Sequence, residues 1–205
     1  MLTQRRKKGK SVSGTSGAGR PASKKEFLKD IASGDDDVRT AAWQGAGTFG
    51  ASVAGPLADL AAAKDLETSR AAKRGLWQIV RICGRPGADE ERQTVNRALL
   101  DLLSDKRPAQ LRRDVLWMLS EIGDDACVSA IAPLTNDADV REDACLALER
   151  IPGDASLGAL RAALDAAPAG FKPCIAESLR RRGLDVPGVA SAKMTPTKTT
   201  AVTAL

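Results

Sequence analysis

Histidine and tyrosine are absent from this chain of 205 residues, and aromatic residues make up only 3% of it. Without histidine, the chain lacks the commonest general base and the commonest metal ligand near neutral pH. Ser-His-Asp and Cys-His catalysis are therefore excluded. Because apolar residues still reach 43%, a core can form from alanine, leucine, isoleucine and valine. Such a core is typical of closely packed helices.

Metal-binding patterns of cysteine are also missing. The four cysteines are Cys83, Cys127, Cys145 and Cys174, and their spacing includes no Cys-x-x-Cys pair or other zinc pattern. We interpret them as small, partly buried hydrophobic residues in a reducing compartment. The sequence therefore predicts no metal and no cofactor, and an enzyme would have to use carboxylates, lysines or thiols.

Long apolar runs are absent too, since no segment approaches the roughly 20 residues that a membrane span needs. The N-terminus carries Arg5 and Arg6, but polar residues follow where a signal peptide would have an apolar region. We therefore predict a soluble, cytoplasmic protein that does not contact membranes, and we expect it to be a monomer.

Acidic residues are missing from the first 25 positions, which hold eight lysines or arginines. Residues 26–188 hold 21 basic and 26 acidic side chains. This division predicts a disordered basic tail at 1–22, a folded domain at 23–188 and a disordered, threonine-rich tail at 189–205. The basic tail can contact nucleic-acid phosphates, or it can serve only to keep the protein soluble. Its cations include Arg5, Arg6, Lys7, Lys8 and Lys10.

A repeat with a constant offset of 29 residues occupies the segment from about residue 110 to 164. Aligned pairs are Leu111 with Val140, Arg112 with Arg141, and Ile122 with Ile151. In both units the apolar residues of the first half fall on one face of an α-helix. A Gly-Asp-Asp or Pro-Gly-Asp break follows, then a second apolar helix that an aspartate of the break can cap.

The same template fits the chain on both sides of these two units. Upstream it predicts a helix pair from Ala72 to Ser104, with a long loop at residues 84–92, and a looser pair from Val38 to Ala63. Downstream it predicts a terminal half-unit from Phe171 to Gly183. In that half-unit Arg182 replaces an apolar residue, as expected of a polar outer face.

A short helix is predicted before the first unit. Ser23 and Glu26 form a capping box, and Phe27, Leu28 and Ile31 supply the apolar residues that follow it. We expect this helix to cover the N-terminal end of the stack.

The pattern of the units resembles the HEAT repeat, in which Asp-x-Val-Arg-x-x-Ala precedes a Gly-Asp break and a second short helix. The matching residues are Asp37, Val38, Arg39, Ala41 and Ala42 in one unit, and Asp139, Val140, Arg141 and Ala144 in another. More narrowly, the pattern looks like the short bacterial variety first described in phycobilin lyases, over about residues 35–183. The resemblance implies a right-handed, armadillo-like α-solenoid of about four and a half helix pairs. Such scaffolds serve many roles, so the resemblance does not specify a function.

The resemblance also implies a structural role for the recurring arginines. Arg39 and Arg141 are expected to pair with aspartates of neighbouring repeats, and Arg112 stands in the same register. Asp37 and Asp139 belong to the same motif.

Each of the three tryptophans follows a basic residue by four positions, in the pairs Arg39–Trp43, Lys73–Trp77 and Arg113–Trp117. Neighbours at this spacing on a helix can form cation–π contacts, and basic residues beside aromatic ones can hold nucleic acid. One helical stripe carries this combination, with Arg70, Arg74, Trp77 and Arg81. The alternative is that the tryptophans pack between adjacent repeats.

The second helices are expected to line the inner surface of the solenoid. Exposed residues predicted there are Asn96, Arg97, Asp101, Arg161 and Asp165. These mixed charges suit a protein or peptide partner, and we therefore predict a non-enzymatic protein–protein interaction scaffold.

Two alternatives stay open at this point. One is a nucleic-acid-associated protein that uses the basic tail as an electrostatic tether and binds weakly. The other is an enzyme of the kinds built from related helical repeats, which are phycobilin lyases and alkylpurine DNA glycosylases. Trp117 with Asp114 could be taken as a glycosylase-like pair, whereas no residue points specifically to a lyase.

Overall fold

The computed structural model describes residues 23–104 and 106–191. Within these residues the chain forms ten α-helices, four 3₁₀ turns and no β-strand, which confirms the predicted all-α class. The α-helices are α1 (Lys24–Ile31), α2 (Asp36–Gly45), α3 (Ala54–Ala61), α4 (Leu66–Cys83), α5 (Asp89–Leu100), α6 (Ala109–Ile122), α7 (Asp125–Ile131), α8 (Arg141–Arg150), α9 (Asp154–Ala166) and α10 (Lys172–Arg181). The 3₁₀ turns are Ala46–Thr48, Gly50–Val53, Asp101–Leu103 and Ala132–Asn136.

The helices lie in two layers. Helices α2, α4, α6, α8 and α10 each pack against the next and form what we call the first-helix layer. Helices α3, α5, α7 and α9 do the same and form the second-helix layer. The chain alternates between the layers, so the described part is a helical solenoid of four pairs followed by the half-pair α10. This agrees with the predicted four and a half pairs, while the right-handed sense of the stack stays a prediction.

The apolar faces predicted from the repeat are the faces that the layers bury. All ten template positions of the α6 and α8 units are 5% exposed or less. Burial of each leucine or isoleucine there contributes roughly 1.5–3 kcal/mol to folding. The ten residues are Leu111, Val115, Met118, Leu119, Ile122, Val140, Ala144, Ala147, Leu148 and Ile151.

Helix α1 begins at the predicted cap and lies over the N-terminal end of the first-helix layer. The Ser23 hydroxyl accepts a hydrogen bond from the backbone N–H of Glu26 at 3.2 Å. Phe27 and Ile31 are fully buried, and the ring centroid of Phe27 lies 4.6 Å from that of Phe49. The predicted terminal helix is therefore present, and it packs on α2 and α4.

The predicted loop at residues 84–92 is too long, because α5 already begins at Asp89. Asp89, Glu90 and Glu91 occupy its first turn, where carboxylates interact favourably with the positive end of the helix dipole. The end of the predicted helix also differs, because the α-helix stops at Leu100 and a 3₁₀ turn continues to Leu103.

The two breaks between paired helices are built differently. Asp124 caps α7, since its carboxylate accepts a hydrogen bond from the N–H of Ala126 at 3.1 Å. The cap residue of α9 is instead Gly153, with no side-chain hydrogen bond to the helix, so the predicted aspartate cap is wrong there. Gly153 has a φ of 101°, a conformation that favours glycine. A Cβ atom at this position would lie 2.5 Å from a carboxylate oxygen of Asp125 in the preceding repeat.

Candidate binding surfaces

The predicted basic stripe lies on α4, and part of it is engaged by neighbouring side chains. Arg70 forms an ion pair with Glu67 at 2.8 Å. The guanidinium of Arg74 lies 5.7 Å from the centre of the Trp43 ring on α2. Trp77 is half-buried, and it lines a cleft of about 410 Å³ together with Arg81. The stripe therefore contributes to contacts within and between helices as well as to the surface.

The cation–π pairs predicted within single helices do not form among the described residues. Lys73 instead forms an ion pair with Asp114 of α6 at 2.8 Å. Arg113 donates from Nε to the carbonyl of Asp139 at 2.7 Å. Both cations turn away from the tryptophan of their own helix and bind an oxygen of a neighbouring segment. A carboxylate or carbonyl oxygen accepts a hydrogen bond from a cation, which makes it a stronger partner than the ring. The cation–π contact of Trp43 comes from the adjacent helix, from Arg74.

Trp117 is 48% exposed, yet it also takes part in the contacts between repeats. Its indole Nε1 donates to the carboxylate of Asp143 on α8 at 3.1 Å. Asp114, its partner in the glycosylase-like pair, is bound by Lys73 and also accepts from Gln110 at 3.2 Å. The two side chains are thus directed to different neighbours, and no shared site forms between them.

The recurring arginines have three different environments. Arg112 is 4% exposed and forms an ion pair at 2.6 Å with Asp137, which lies at the end of its own unit, just before α8. Arg39 pairs with Asp36 of its own helix, so the predicted pairing with a neighbouring repeat is wrong for this residue. Arg141 lies over the ring of Phe171, 4.4 Å from its centre. The prediction also fails for Arg141, because the position 29 residues after Asp137 is an alanine.

The motif aspartates Asp37 and Asp139 are exposed and hydrogen-bond through their backbone groups. The N–H of Asp37 donates to Asp35 at 2.9 Å, and the N–H of Asp139 donates to Asp137 at 3.0 Å. Hydrogen bonds from the Arg112 side chain and from the backbone N–H of Asp139 hold the pKa of the Asp137 carboxyl below its usual value.

Two polar residues bind carbonyls at the ends of other helices, a role that the sequence analysis missed. Arg182 is not on a polar outer face, because its guanidinium donates to the carbonyls of Leu148, Ile151 and Gly153 at 2.7–3.2 Å. Asn96 was predicted to be exposed but is 3% exposed, and its side-chain amide donates to the carbonyl of Ile122 at 3.1 Å. Both residues satisfy carbonyls at a helix C-terminus. For Arg182 the sequence contained an indication of this role, because the other units have an apolar residue at the same template position.

The remaining residues of the predicted binding set lie at two places in the second-helix layer. Arg97 and Asp101 are exposed on α5 and the turn after it, and Arg161 and Asp165 are exposed on α9. Helix α7 lies between them, because α5 packs on α7 and α7 packs on α9. The structure therefore brings these residues to one layer but not into one cluster. The exposed residues of the intervening segment include the short side chains of Ala126, Ser129, Ala130 and Pro133, together with Asp125 at the start of α7 and Asn136 after it.

A cleft of about 700 Å³ lies where the turns before α3 meet the ends of α4 and α5. Phe49 and Ile82 contribute apolar surface, and Ile82 is 38% exposed. At the rim, Arg85 binds both carboxylate oxygens of Glu91, at 2.7 and 2.9 Å. The charges of Arg85 and Glu91 at the rim of this cleft thus neutralise each other.

Three of the four cysteines are buried, and the fourth, Cys174, is exposed. Cys83, Cys127 and Cys145 are buried, and burial raises the pKa of each thiol. The pKa of Cys145 rises to about 12, so this thiol stays protonated at neutral pH and is a poor nucleophile. In the same residues, no group of cysteine and acidic side chains could hold a metal ion, and no helix is long and apolar enough to cross a membrane.

The cations of the predicted basic tail, Arg5, Arg6, Lys7, Lys8 and Lys10, lie outside the described residues. The predicted C-terminal tail also lies outside them, except for residues 189–191. Arg180 donates a hydrogen bond to the carbonyl of Val189. It donates another, of 3.4 Å, to the hydroxyl of Ser191.

The two-layer stack of helix pairs defines the chain as a helical-repeat protein. Its residues 96–180, from the middle of α5 to α10, match the family model of HEAT repeats. This match to HEAT repeats confirms the resemblance read from the motifs over that segment. The narrower likeness to the phycobilin-lyase variety stays a prediction. No curated protein matches the chain.

Solved structures similar to the chain include engineered proteins and a designed repeat protein. One engineered protein is 19% identical, with 76% of this chain and 77% of that chain covered and a TM-score of 0.40. A designed armadillo repeat protein in complex with the peptide (KR)4 is 16% identical, with 76% and 80% covered and a TM-score of 0.41. A second engineered protein is 17% identical, with 78% and 47% covered and a TM-score of 0.40.

Proposed function

We propose that this protein is a non-enzymatic scaffold that binds a protein or peptide partner along its second-helix layer. The observation that carries the proposal is the different use of polar side chains in the two layers. In the first-helix layer, charged residues bridge one repeat to the next, as Lys73 does to Asp114 and Arg150 does to Glu121. These groups hold the stack together and are less free to bind a partner.

Charged residues of the second-helix layer are more available. Arg97 makes one long contact, 3.4 Å to the hydroxyl of Thr94, while Asp101, Arg161 and Asp165 are exposed. Arg97 with Asp101 and Arg161 with Asp165 thus stand on either side of α7, where Ala126, Ser129 and Ala130 are small and exposed and Asp125 is exposed at the start of the helix. A partner of complementary charge can approach the backbone closely at α7 and be oriented by the charges on both sides.

Site-specific photocrosslinking tests this proposal. A photoreactive phenylalanine derivative replaces Arg97 in one variant, Arg161 in a second, and Arg70 of the first-helix layer in a control. After irradiation in a cell extract of the source organism, we expect the same protein to be crosslinked at positions 97 and 161. Crosslinking of that protein should decrease when Asp101 and Asp165 are replaced by lysine. Crosslinking of the same proteins at position 70, or of none at 97 and 161, contradicts the proposal.

The charge division of the sequence favours a second candidate function, electrostatic binding of nucleic acid through the basic tail. The test is fluorescence anisotropy with labelled duplex and single-stranded oligonucleotides. The full chain is compared with a variant in which Arg5, Arg6, Lys7, Lys8 and Lys10 are glutamines. We expect binding only by the unaltered chain, with an affinity that falls steeply as salt increases. Equal binding by both chains contradicts a role for the tail.

A further inference from the structure

A cleft between α8 and α10 combines apolar surface with unbalanced acidic charge. Its volume is about 430 Å³, within the range of about 300–1,000 Å³ that is typical of binding pockets. We call it the acidic cleft. Residues that line it include Glu142, Leu146 and Glu149 of α8, and Pro173, Cys174 and Glu177 of α10.

The carboxylates of the acidic cleft outnumber its cations. Arg181 lies 3.5 Å from Glu149 and 3.5 Å from Glu177, so two carboxylates share one guanidinium at long distance. Glu142 has no ion-pair partner among the described residues. Between α4 and α6, by contrast, one cation, Lys73, forms an ion pair with one carboxylate, Asp114, at 2.8 Å. The acidic cleft therefore keeps negative charge that the stack does not neutralise.

The sulfur in the cleft wall adds to its apolar surface. Burial raises the pKa of the Cys174 thiol, and the nearby carboxylates of Glu142 and Glu149 raise it further. The thiol is therefore neutral at physiological pH. Together with Leu146 and Pro173 it forms an uncharged wall beside the glutamates.

We propose that the acidic cleft binds a short basic segment of a partner protein, in which lysine or arginine side chains flank one apolar side chain. The apolar side chain would contact Leu146, Pro173 and Cys174, and the flanking cations would pair with Glu142 and Glu177. Charge complementarity selects this occupant, because an acidic peptide or a nucleic acid would be repelled. The cleft belongs to the first-helix layer, so this site is separate from the surface proposed for the scaffold function and can fail independently of it.

Fluorescence anisotropy with a labelled peptide of sequence Lys-Lys-Leu-Lys-Lys tests the proposal on the full chain. Replacement of Glu142 and Glu177 by glutamine should weaken binding about tenfold, because two exposed charge contacts are lost. The matched control replaces Glu67 and Glu90, which are also exposed and lie outside the cleft, and it should bind as the unaltered chain does. Circular dichroism checks that both variants keep their helices.

Peptide variants test the same site on the unaltered protein. Lys-Lys-Ser-Lys-Lys should bind several-fold more weakly than the leucine peptide, because the apolar contact is missing, and Glu-Glu-Leu-Glu-Glu should not bind. The proposal is overturned if E142Q/E177Q and the control variant at Glu67 and Glu90 weaken binding equally, since the attraction between protein and peptide would then be diffuse. It is also overturned if E142Q/E177Q binds unchanged, or if the leucine and serine peptides bind alike.

Discussion

The guanidinium of Arg112 joins three segments of the stack. From α6 it reaches Asp137, which precedes α8, and its Nε donates to the carbonyl of Leu103 at 3.2 Å, after α5. Only 4% of this residue is exposed, so its charge depends on these partners for compensation. Arg39 and Arg141 share its motif but not its partners, because Arg39 pairs with Asp36 of its own helix and Arg141 lies over the ring of Phe171.

Replacement of Asp137 by asparagine should lower the free energy of unfolding by about 2 kcal/mol, because it leaves a buried guanidinium without its counter-charge. Replacement of Arg112 by methionine removes that charge. The double variant should therefore lose less stability than the two single variants added together. Urea denaturation of the four proteins measures this coupling. Additive losses would show that the pair does not act as a unit, and Asp37→Asn serves as the exposed control.

The buried Cys145 thiol should make the free energy of unfolding depend on pH in the alkaline range. Burial, with a contribution from Cys174, raises its pKa from 9.0 to about 12 in the folded chain. In the unfolded chain the thiol ionises near 9.0, so the unfolded state is increasingly favoured as pH rises from 9.0 towards 12. We expect the unfolding free energy of the unaltered protein to fall more steeply over this range than that of Cys145→Ala. Parallel profiles measured by urea denaturation would contradict this assignment, and below pH 9.0 the difference should be constant.

At the scale of the element, the helix ends depend on neighbouring repeats. The last carbonyls of α8 accept hydrogen bonds from Arg182, which follows α10, and the hydroxyl of Ser156 in α9 donates to the carbonyl of Ile151 at 2.7 Å. The carbonyl of Ile122, at the end of α6, is satisfied by Asn96 of α5. The C-termini of α6 and α8 are thus completed by side chains from other segments, which links local helix formation to assembly of the stack.

The turn at Gly153 gives a prediction at this scale. Gly153→Ala should destabilise the protein by about 1–3 kcal/mol, because the positive φ and the nearby Asp125 carboxylate both oppose a Cβ atom. Gly158→Ala is the matched control, since Gly158 is inside α9 and an added Cβ there would meet no atom within 4 Å. It should stabilise the protein by about 0.5–1 kcal/mol, because alanine favours helix. Thermal and urea unfolding measure both changes, and equal effects of the two substitutions would refute the explanation.

At the scale of the whole molecule, the two layers differ in what their polar groups do. The first-helix layer uses ion pairs such as Arg150–Glu121, at 2.7 Å, to connect repeats. In the second-helix layer Arg97 and Arg161 are exposed, while Asp59 of α3 is paired with Arg107. The ion pairs of the first-helix layer connect repeats, and the exposed charges of the second-helix layer are the ones that we propose contact a partner.

The distribution of exposed apolar residues predicts a monomer. The large exposed hydrophobic side chains among the described residues are Leu66, Ile82 and Trp117. Leu66 and Ile82 stand near opposite ends of α4, so they do not form one contiguous patch of the kind that drives stable association. Sedimentation equilibrium across the micromolar range should give a mass near 21.5 kDa. A mass that rises to a dimer in this range would contradict the prediction.

The spacing of residues along the chain was enough to predict the periodic part of this protein. The 29-residue repeat placed Leu111, Leu119 and Leu148 in the core, and Ser23 marked the start of α1. These features depend on spacing along one helix and on bonds between residues close in the chain, and both are visible in a linear sequence. The number of helix pairs followed from the same spacing.

Only the tertiary structure decided which partners the polar residues have. Arg141 was expected to meet an aspartate and instead stacks on Phe171, while Asn96 and Arg182 bind carbonyls of other helices. The acidic cleft likewise exists only because α8 and α10 pack side by side. The physical reason is that a long polar side chain can reach several acceptors. The choice among them depends on how adjacent helices pack, which the repeat spacing alone does not specify.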